Sequence, residues 1–340
     1  MKRFLACLLA TATLTVCSVP SAFAASEEAL SAANSLYSLG LFQGTGTNSD
    51  GSPSFDLDRA PTRNEAVTML VRLLGQEKEA TGHLWTLPFS DVTSWAKPYI
   101  GFAFANKLTS GTSLYKFSGN NAVSTTQYLT FVLRALGYES GVDFQWDQAW
   151  ELSDRLGITK GQYNVSSPFT RGDVALISYH ALSSKPKGSS KTLLETLQST
   201  KSSGGAASAD DMLAILEPYE KGIALIIQSM TDLFNNIDSV TEWSELLTLC
   251  HREQSQIRQA ANYFTSAAQA CRNFSDTQNL KYKFLEISAL YSTVSNHDDI
   301  TIDNIFEYED YQSHIQSLVD EILKSIDIEI DGWIITYPGS

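Results

Sequence analysis

The sequence repeats itself three times, and that repetition limits the folds open to it more than any other property. Ala60-Pro61-Thr62-Arg63-Asn64-Glu65-Ala66-Val67, running to Leu73-Leu74-Gly75, returns as Ser124-Thr125-Thr126-Gln127-Tyr128-Leu129, running to Arg134-Ala135-Leu136-Gly137. It returns again as Thr170-Arg171-Gly172-Asp173-Val174-Ala175, running to Ala181-Leu182. Upstream of each copy a helical stretch closes on a glycine loop: Leu39-Gly40-Leu41-Phe42-Gln43-Gly44, Lys107-Leu108-Thr109-Ser110-Gly111 and Leu156-Gly157-Ile158-Thr159-Lys160-Gly161. Such a unit buries its apolar face by stacking on its neighbours. Each unit reads as helix, loop, helix, so residues 26–183 are expected to form an all-α array.

The second helix of each unit has a marked start. Thr62 with Glu65, and Ser124 with Gln127, have capping-box spacing ahead of an apolar-periodic run; Thr170 with Asp173 is a weaker version. Arg63 and Arg171 follow their caps directly. The helix macrodipole disfavours a cation there by about 0.3–1 kcal/mol. An anionic ligand would reverse that sign, because N–H groups, dipole and guanidinium fork would converge on one carboxylate. The alternative is a surface arginine paired with an acid of a neighbouring repeat. In the second copy Thr125 stands where the arginine should be.

The second unit opens with Phe89-Ser90-Asp91-Val92, then Trp95-Ala96 and Tyr99-Ile100. This ordered set, with the Thr-Arg-x-Glu helix start and three copies over nearly half the chain, resembles the S-layer homology (SLH) domain. The resemblance implies a pseudo-threefold α-helical triplet that binds secondary cell-wall polysaccharide without covalent attachment, often through pyruvylated sugars. Carried over by position, it makes Arg63, Thr62, Glu65, Arg171, Thr170, Asp173, Asp91 and Trp95 the candidate polymer contacts. For Asp91 and Trp95 the rival roles are an N-cap and a core aromatic, and for Trp95 the core is favoured. The first repeat lacks the Phe-x-Asp-Val opening and has only Ala32-Ala33 and Leu36-Tyr37. The third keeps Phe144, Trp146 and Trp150 without the aspartate. By this test at most two of three grooves are intact.

Lys2-Arg3, the apolar stretch from Phe4 to Val16 and Ala22-Phe23-Ala24 read as a signal peptide over 1–24, so export is expected. A lipoprotein signal ending at Cys17 is disfavoured by Val16 before it. No later apolar run approaches the roughly 20 residues a membrane-spanning helix needs. The expected divisions are repeats at 25–82, 83–140 and 141–183, a flexible linker at 184–207 with a short helix open at Leu193 to Leu197, and a helical domain at 208–340. Asn48-Ser49-Asp50-Gly51 lacks calcium-loop spacing and reads as a tight turn.

Between Gly222 and Gly332 there is neither glycine nor proline. Four apolar stripes at alternating spacings of 3 and 4 fall in this part: Met212 to Leu233, Trp243 to Cys271, Leu280 to Val294 and Tyr308 to Ile326. They predict an antiparallel α-helical bundle. Cys250 and Cys271 would lie about 31 Å apart on one unbroken helix, too far for a disulfide, and are expected as buried thiols. Ile328-Glu329-Ile330-Asp331-Gly332-Trp333 alternates about an Asp-Gly turn, so a small C-terminal β-hairpin is open, as is a helix C-cap at Gly332. His251, His297 and His314 form no His-x-x-x-His pair. Asn296-His297-Asp298-Asp299 reads as a loop and helix start. No nucleophile elbow or phosphate loop occurs, and neither cofactor nor metal is expected.

The formal charge of −14 excludes a nucleic-acid binder of the usual basic kind. It is unevenly placed: residues 208–340 hold 7 Lys+Arg against 22 Asp+Glu, whereas 1–207 hold 17 against 16. The chain is therefore expected to be an exported protein of the cell wall or surface of a Gram-positive-type bacterium. Its repeats would hold a pyruvylated or otherwise anionic secondary wall polymer. Its helical domain would engage a surface protein or its own copies, with an enzyme of glycan hydrolase or transferase type as the alternative for that domain.

Overall fold

The computed structural model describes residues 26–199, 206–271, 274–296, 300–301 and 303–336. The expected signal peptide lies outside them, as does His297-Asp298-Asp299. The chain is mostly helical: α1 (Glu27–Ser38), a hairpin of β1 (Gly46–Thr47) and β2 (Pro53–Ser54), α2 (Arg63–Leu73), α3 (Glu77–Thr81), α4 (Lys97–Ala105), α5 (Thr125–Ala135), α6 (Ala149–Arg155), α7 (Arg171–Ala181), α8 (Leu193–Ser199), α9 (Ala209–Ile237), α10 (Trp243–Ala270), α11 (Gln278–Ser295) and α12 (Ile305–Thr336). Asn48–Gly51 makes the turn between β1 and β2, closed by Gly51 N–H on the Asn48 carbonyl at 3.0 Å.

The three repeats close into a ring. The capped helices α2, α5 and α7 meet one another at the centre. The outer helix of each unit then lies on the capped helix of the unit before it: α4 on α2, α6 on α5, and α1 on α7. The last of these joins the array's two ends. Apolar side chains explain the arrangement, since Val67, Leu70, Leu129, Leu133, Val174 and Ala175 are all fully buried.

After each outer helix the backbone turns left-handed, at Gly40 (φ 73°), Lys107 (φ 59°) and Gly157 (φ 73°). The next residue then reaches back into the helix: Leu41, Leu108 and Ile158 donate to the carbonyls of Leu36, Ala103 and Ser153 at 2.9, 2.8 and 3.0 Å. This is a Schellman-type stop, for which glycine is the unstrained residue. Lys107 adopts the same conformation with a side chain, at a cost of about 1 kcal/mol.

The segment expected as a flexible linker is packed over its first part. Lys187 pairs with Asp143 at 2.7 Å, and Leu193 and Leu194 donate to the Ser184 and Leu182 carbonyls. Leu193 is buried, so residues 184–199 belong to the third repeat's surface.

Helices α9 to α12 form the expected antiparallel bundle. Gln254 of α10 bonds the Val294 carbonyl of α11, Thr265 bonds Ser288, and Tyr291 of α11 bonds Gln316 of α12. Gly222 allows α9 to approach α10, since a Cβ there would lie 2.9 Å from the buried Phe264 ring. Cys250 and Cys271 are free and buried. No C-terminal hairpin forms, and Gly332 is not a cap, because α12 runs on to Thr336. The reason lies in its seam: Ile315, Val319, Ile322, Ile326 and Ile330 keep helical spacing against the core, while Ile328 is exposed.

A second departure is that the bundle docks on the repeats. Helix α11 packs on α4, and Tyr282 sits against His83 and Trp85 with ring centroids 4.8 and 5.3 Å apart. Lys281 pairs with Glu79 at 2.6 Å. The buried Glu286 carboxylate accepts from the Thr86 N–H at 2.8 Å and faces His83 Nε2 at 3.3 Å. One of the domain's few lysines and a buried acid are spent on this contact.

Glu253 lies in the bundle core beside a cavity of about 20 Å³ and accepts from Gln312 at 2.8 Å. Burial pushes its carboxyl up to about 7, against which the Gln312 bond acts. The native state thus holds this proton more tightly than the unfolded chain. The stabilising contribution is complete below the unfolded value near 4.5 and is lost as pH rises towards 7, amounting to about 3 kcal/mol. Glu253→Gln, which keeps the acceptor, should therefore stabilise the bundle at pH 8 and match the parent below pH 4.5. Denaturant-dependent labelling of Cys250 and Cys271 measures this; a gap that does not narrow on acidification contradicts it.

Candidate functional site

All three helix starts carry the expected caps. Thr62, Ser124 and Thr170 each accept the N3 N–H, while Glu65, Gln127 and Asp173 reach back to the cap N–H. The same carboxylates have further partners. Arg59 grips Glu65 with two bonds of 3.0 and 2.7 Å, and Tyr163 donates to Asp173 at 2.7 Å. Burial pushes the Glu65 carboxyl up, but the Arg59 fork and the Thr62 bonds outweigh it and hold it at about 2. Thr62, Glu65, Thr170 and Asp173 thus bond within the protein. Asp91 does the same, accepting the N–H groups of Phe117 and Ser118 at 2.8 and 2.9 Å. Trp95 stands out from the core, 53% exposed.

The helix N-termini are not open to a ligand in the way the sequence indicates. The Arg63 and Asn64 N–H groups donate to the carbonyls of Asn121 and Gly119, at 2.8 and 2.9 Å. Those of Arg171 and Gly172 donate to Arg59 and Leu57, at 2.9 and 2.8 Å. Each neighbouring repeat satisfies the helix start before it, as buried N–H groups require.

The guanidinium groups are another matter. Arg63 and Arg171 are 5% and 4% exposed, and neither forms an ion pair among the described residues. Arg63 lies over the rings of Phe117 and Phe131, 4.7 and 4.9 Å from their centroids. Its Nη2 donates to the Ser110 carbonyl at 2.7 Å and contacts Thr109 Oγ1 at 3.4 Å, while Nε has no partner. Burial, with the Arg134 charge adding to it, pushes this guanidinium down to about 10.

Arg171 repeats the pattern one seam on. Its Nε donates to the Phe55 carbonyl at 2.9 Å and its Nη2 to Gln43 at 3.5 Å. Ser110 and Gln43 hold the same place in their glycine loops, so each arginine passes from one repeat into the loop of the next. At the remaining seam Thr125 donates to the Ser167 carbonyl at 3.3 Å, and no cation is present at that position.

A surface concavity is lined by the loop that each arginine bonds, Gln43 for Arg171 and Ser110 for Arg63, with the arginines themselves behind the lining. Beside Arg171, residues Phe42 to Thr47 with Tyr37 and Pro53 line a hollow of about 590 Å³. Beside Arg63, Thr109 and Ser110 belong to a cleft of about 760 Å³ that also takes in Lys107 and Arg134. Burial lowers the affinity of Lys107 and Arg134 for their protons, with Glu139 acting against it. Sequence reasoning passed over both residues. The available signal was Lys107 at a position that is glycine in the other two loops.

No protein-family model matches the chain. Curated relatives do: a "Middle cell wall protein" of Brevibacillus brevis is 30% identical over 51% of this chain and 17% of its own length. A "Cell surface protein" of Thermoanaerobacter kivui is 34% identical over 45% of this chain and 20% of its own, and a "Surface layer protein" of Brevibacillus choshinensis is 30% identical over 48% and 15%. The matches thus span a fifth or less of these relatives. With such similarities the chain is a secreted protein of the cell wall or cell surface.

A buried cation without a carboxylate weakens a fold, and an apolar side chain of similar volume often serves stability as well or better. Arg63→Met should therefore leave the urea unfolding midpoint unchanged or raise it, whereas Arg59→Met should lower stability by about 1 kcal/mol through Glu65. A loss above about 3 kcal/mol for Arg63→Met would make that arginine a structural member.

Proposed function

We propose that the three-repeat ring anchors the chain to an anionic secondary cell-wall polysaccharide, with the Arg63 and Arg171 seams as binding grooves. The observation that carries this reading is the pair of buried guanidiniums without carboxylate partners among the described residues, each bonded to a loop that lines a concavity. Such a charge is costly in the free protein and is relieved when an acidic sugar supplies the counter-ion. The names of the relatives and the resemblance to SLH repeats support the same assignment. The exposed Trp95 offers an apolar face of the kind that stacks on sugar rings, while the Thr125 seam acts as a spacer.

The bundle is proposed to act in binding rather than in catalysis. Its buried acids are otherwise engaged, Glu253 with Gln312 beside a cavity of about 20 Å³ and Glu286 with the Thr86 N–H. Met230, Phe234, Ile237 and Trp243 are exposed near the α9–α10 turn and offer an apolar surface to a partner protein.

Residues 26–340 should sediment with wall sacculi that carry their secondary polymer and remain in solution once the polymer is extracted. Arg63→Met combined with Arg171→Met should weaken binding by about 100-fold, against less than about threefold for the exposed Lys97→Glu. Equal sedimentation with extracted sacculi, or equal losses for both variants, would remove the anchoring assignment.

A further inference from the structure

Of the two arginine seams, one is partly covered. The hollow beside Arg171 is lined by residues of the first repeat alone. The cleft beside Arg63 has two walls: Lys107, Thr109, Ser110 and Arg134 on the ring, and Asn262, Thr265, Ser292 and Thr293 on helices α10 and α11 with Asn296 at the α11 C-cap. Lys107 reaches across it, with Nζ 3.2 Å from Thr265 Oγ1.

The composition of the second wall is unexpected for this domain. The bundle has 22 acids against 7 bases, yet every residue it gives to the cleft is uncharged, the others being Ala289 and Tyr311. If the contact served docking alone, its acids would be the natural partners of Lys107 and Arg134. They are used instead at the edge, where Asp310 takes the Tyr115 hydroxyl at 3.1 Å and Glu286 takes the Thr86 N–H. Glu139, on the ring side, is the one carboxylate among the described residues of the lining. Two cations therefore face a wall of hydroxyls and amides across a space large enough for a small ligand.

We propose that the Arg63 cleft is a composite site in which the helical bundle supplies half of the contacts. Its ligand is a carboxylate-bearing saccharide unit: the acid is held by Lys107 and Arg134, and the ring hydroxyls by the Asn262 and Asn296 amides and by the acceptor lone pairs of Ser292 and Thr293, whose own protons go to the Ser288 and Leu290 carbonyls. Charge alone would bind any anion, whereas the facing donors and acceptors select one that carries hydroxyl groups. The two seams are thereby inequivalent, the Arg171 seam binding through the ring alone and the Arg63 seam through ring and bundle together. This inference rests on the anchoring reading and extends it to the second domain.

The test uses residues 26–340 carrying Arg171→Met, so that only the composite seam remains, titrated calorimetrically with secondary polymer purified from sacculi. Asn262 and Asn296 are exposed, so both can be changed without disturbing the core. Asn262→Asp with Asn296→Asp should weaken binding by roughly tenfold or more, and Asn262→Lys with Asn296→Lys should tighten it severalfold. Opposite shifts cannot arise from a general loss of folding, which would weaken both. Unchanged affinity in both variants, with the parent still binding, overturns the composite site and leaves ring anchoring intact. Absence of polymer binding by the unsubstituted chain overturns both.

Discussion

Two guanidinium groups buried without carboxylates set the terms for the rest of this structure. Removing a cation from water is expensive, and neighbouring acids usually meet that cost. Here backbone carbonyls and aromatic faces do so only in part: Ser110, Phe117 and Phe131 around Arg63, and Phe55 and Gln43 around Arg171, where Glu65 and Asp56 add a longer-range attraction without outweighing burial. These supports come from the ring. A carbonyl of the next repeat's loop is in place because that loop stops its helix with a left-handed residue, and the helix start is fixed because the neighbouring chain takes up its N–H groups. Closure of α1 on α7 extends the same geometry to the third repeat. Ring closure and arginine burial are thus aspects of one packing solution.

The bundle changes what the ring presents. It covers the Arg63 seam on one side and leaves the Arg171 seam free, so the pseudo-threefold ring has three unlike faces: one roofed, one open and one without an arginine. Lys107 ties these facts together. It holds a strained backbone conformation in the helix stop, lines the roofed cleft and contacts the bundle through Thr265. Glycine would relieve the strain but remove the charge.

Local interactions were legible in the sequence to the extent that they are short in range. The capping pairs Thr62–Glu65, Ser124–Gln127 and Thr170–Asp173 follow from spacing alone, as do the free cysteines and the four seams of the bundle apart from Met230 and Trp243, which lie on the expected stripes but are exposed. The ring's loops were visible as glycine punctuation. What escaped depends on contacts distant in sequence: the carbonyls of Gly119 and Asn121 that take the N–H groups of α2, the burial of Arg63 by Phe117 and Phe131, and the pairing of Lys281 with Glu79. Within the expected linker the short helix from Leu193 was legible, but Ser-, Gly- and Lys-rich sequence says nothing of Leu193 folding back on Ser184. The alternation at Ile328-Glu329-Ile330 misled because a period of two over five residues cannot outweigh a helical seam already established from Tyr311 to Ile326.

The central claim is that these buried cations await the acid groups of a wall polymer, and one comparison addresses it directly. Calorimetric titration of residues 26–340 with purified secondary polymer, intact and after its carboxylates have been converted to neutral amides, separates charge from shape. The account predicts saturable binding to the intact polymer, weakening with added salt, and little or none to the amidated form. Equal affinity for the two forms would contradict it, since the guanidiniums would then have no part in holding the chain to the wall.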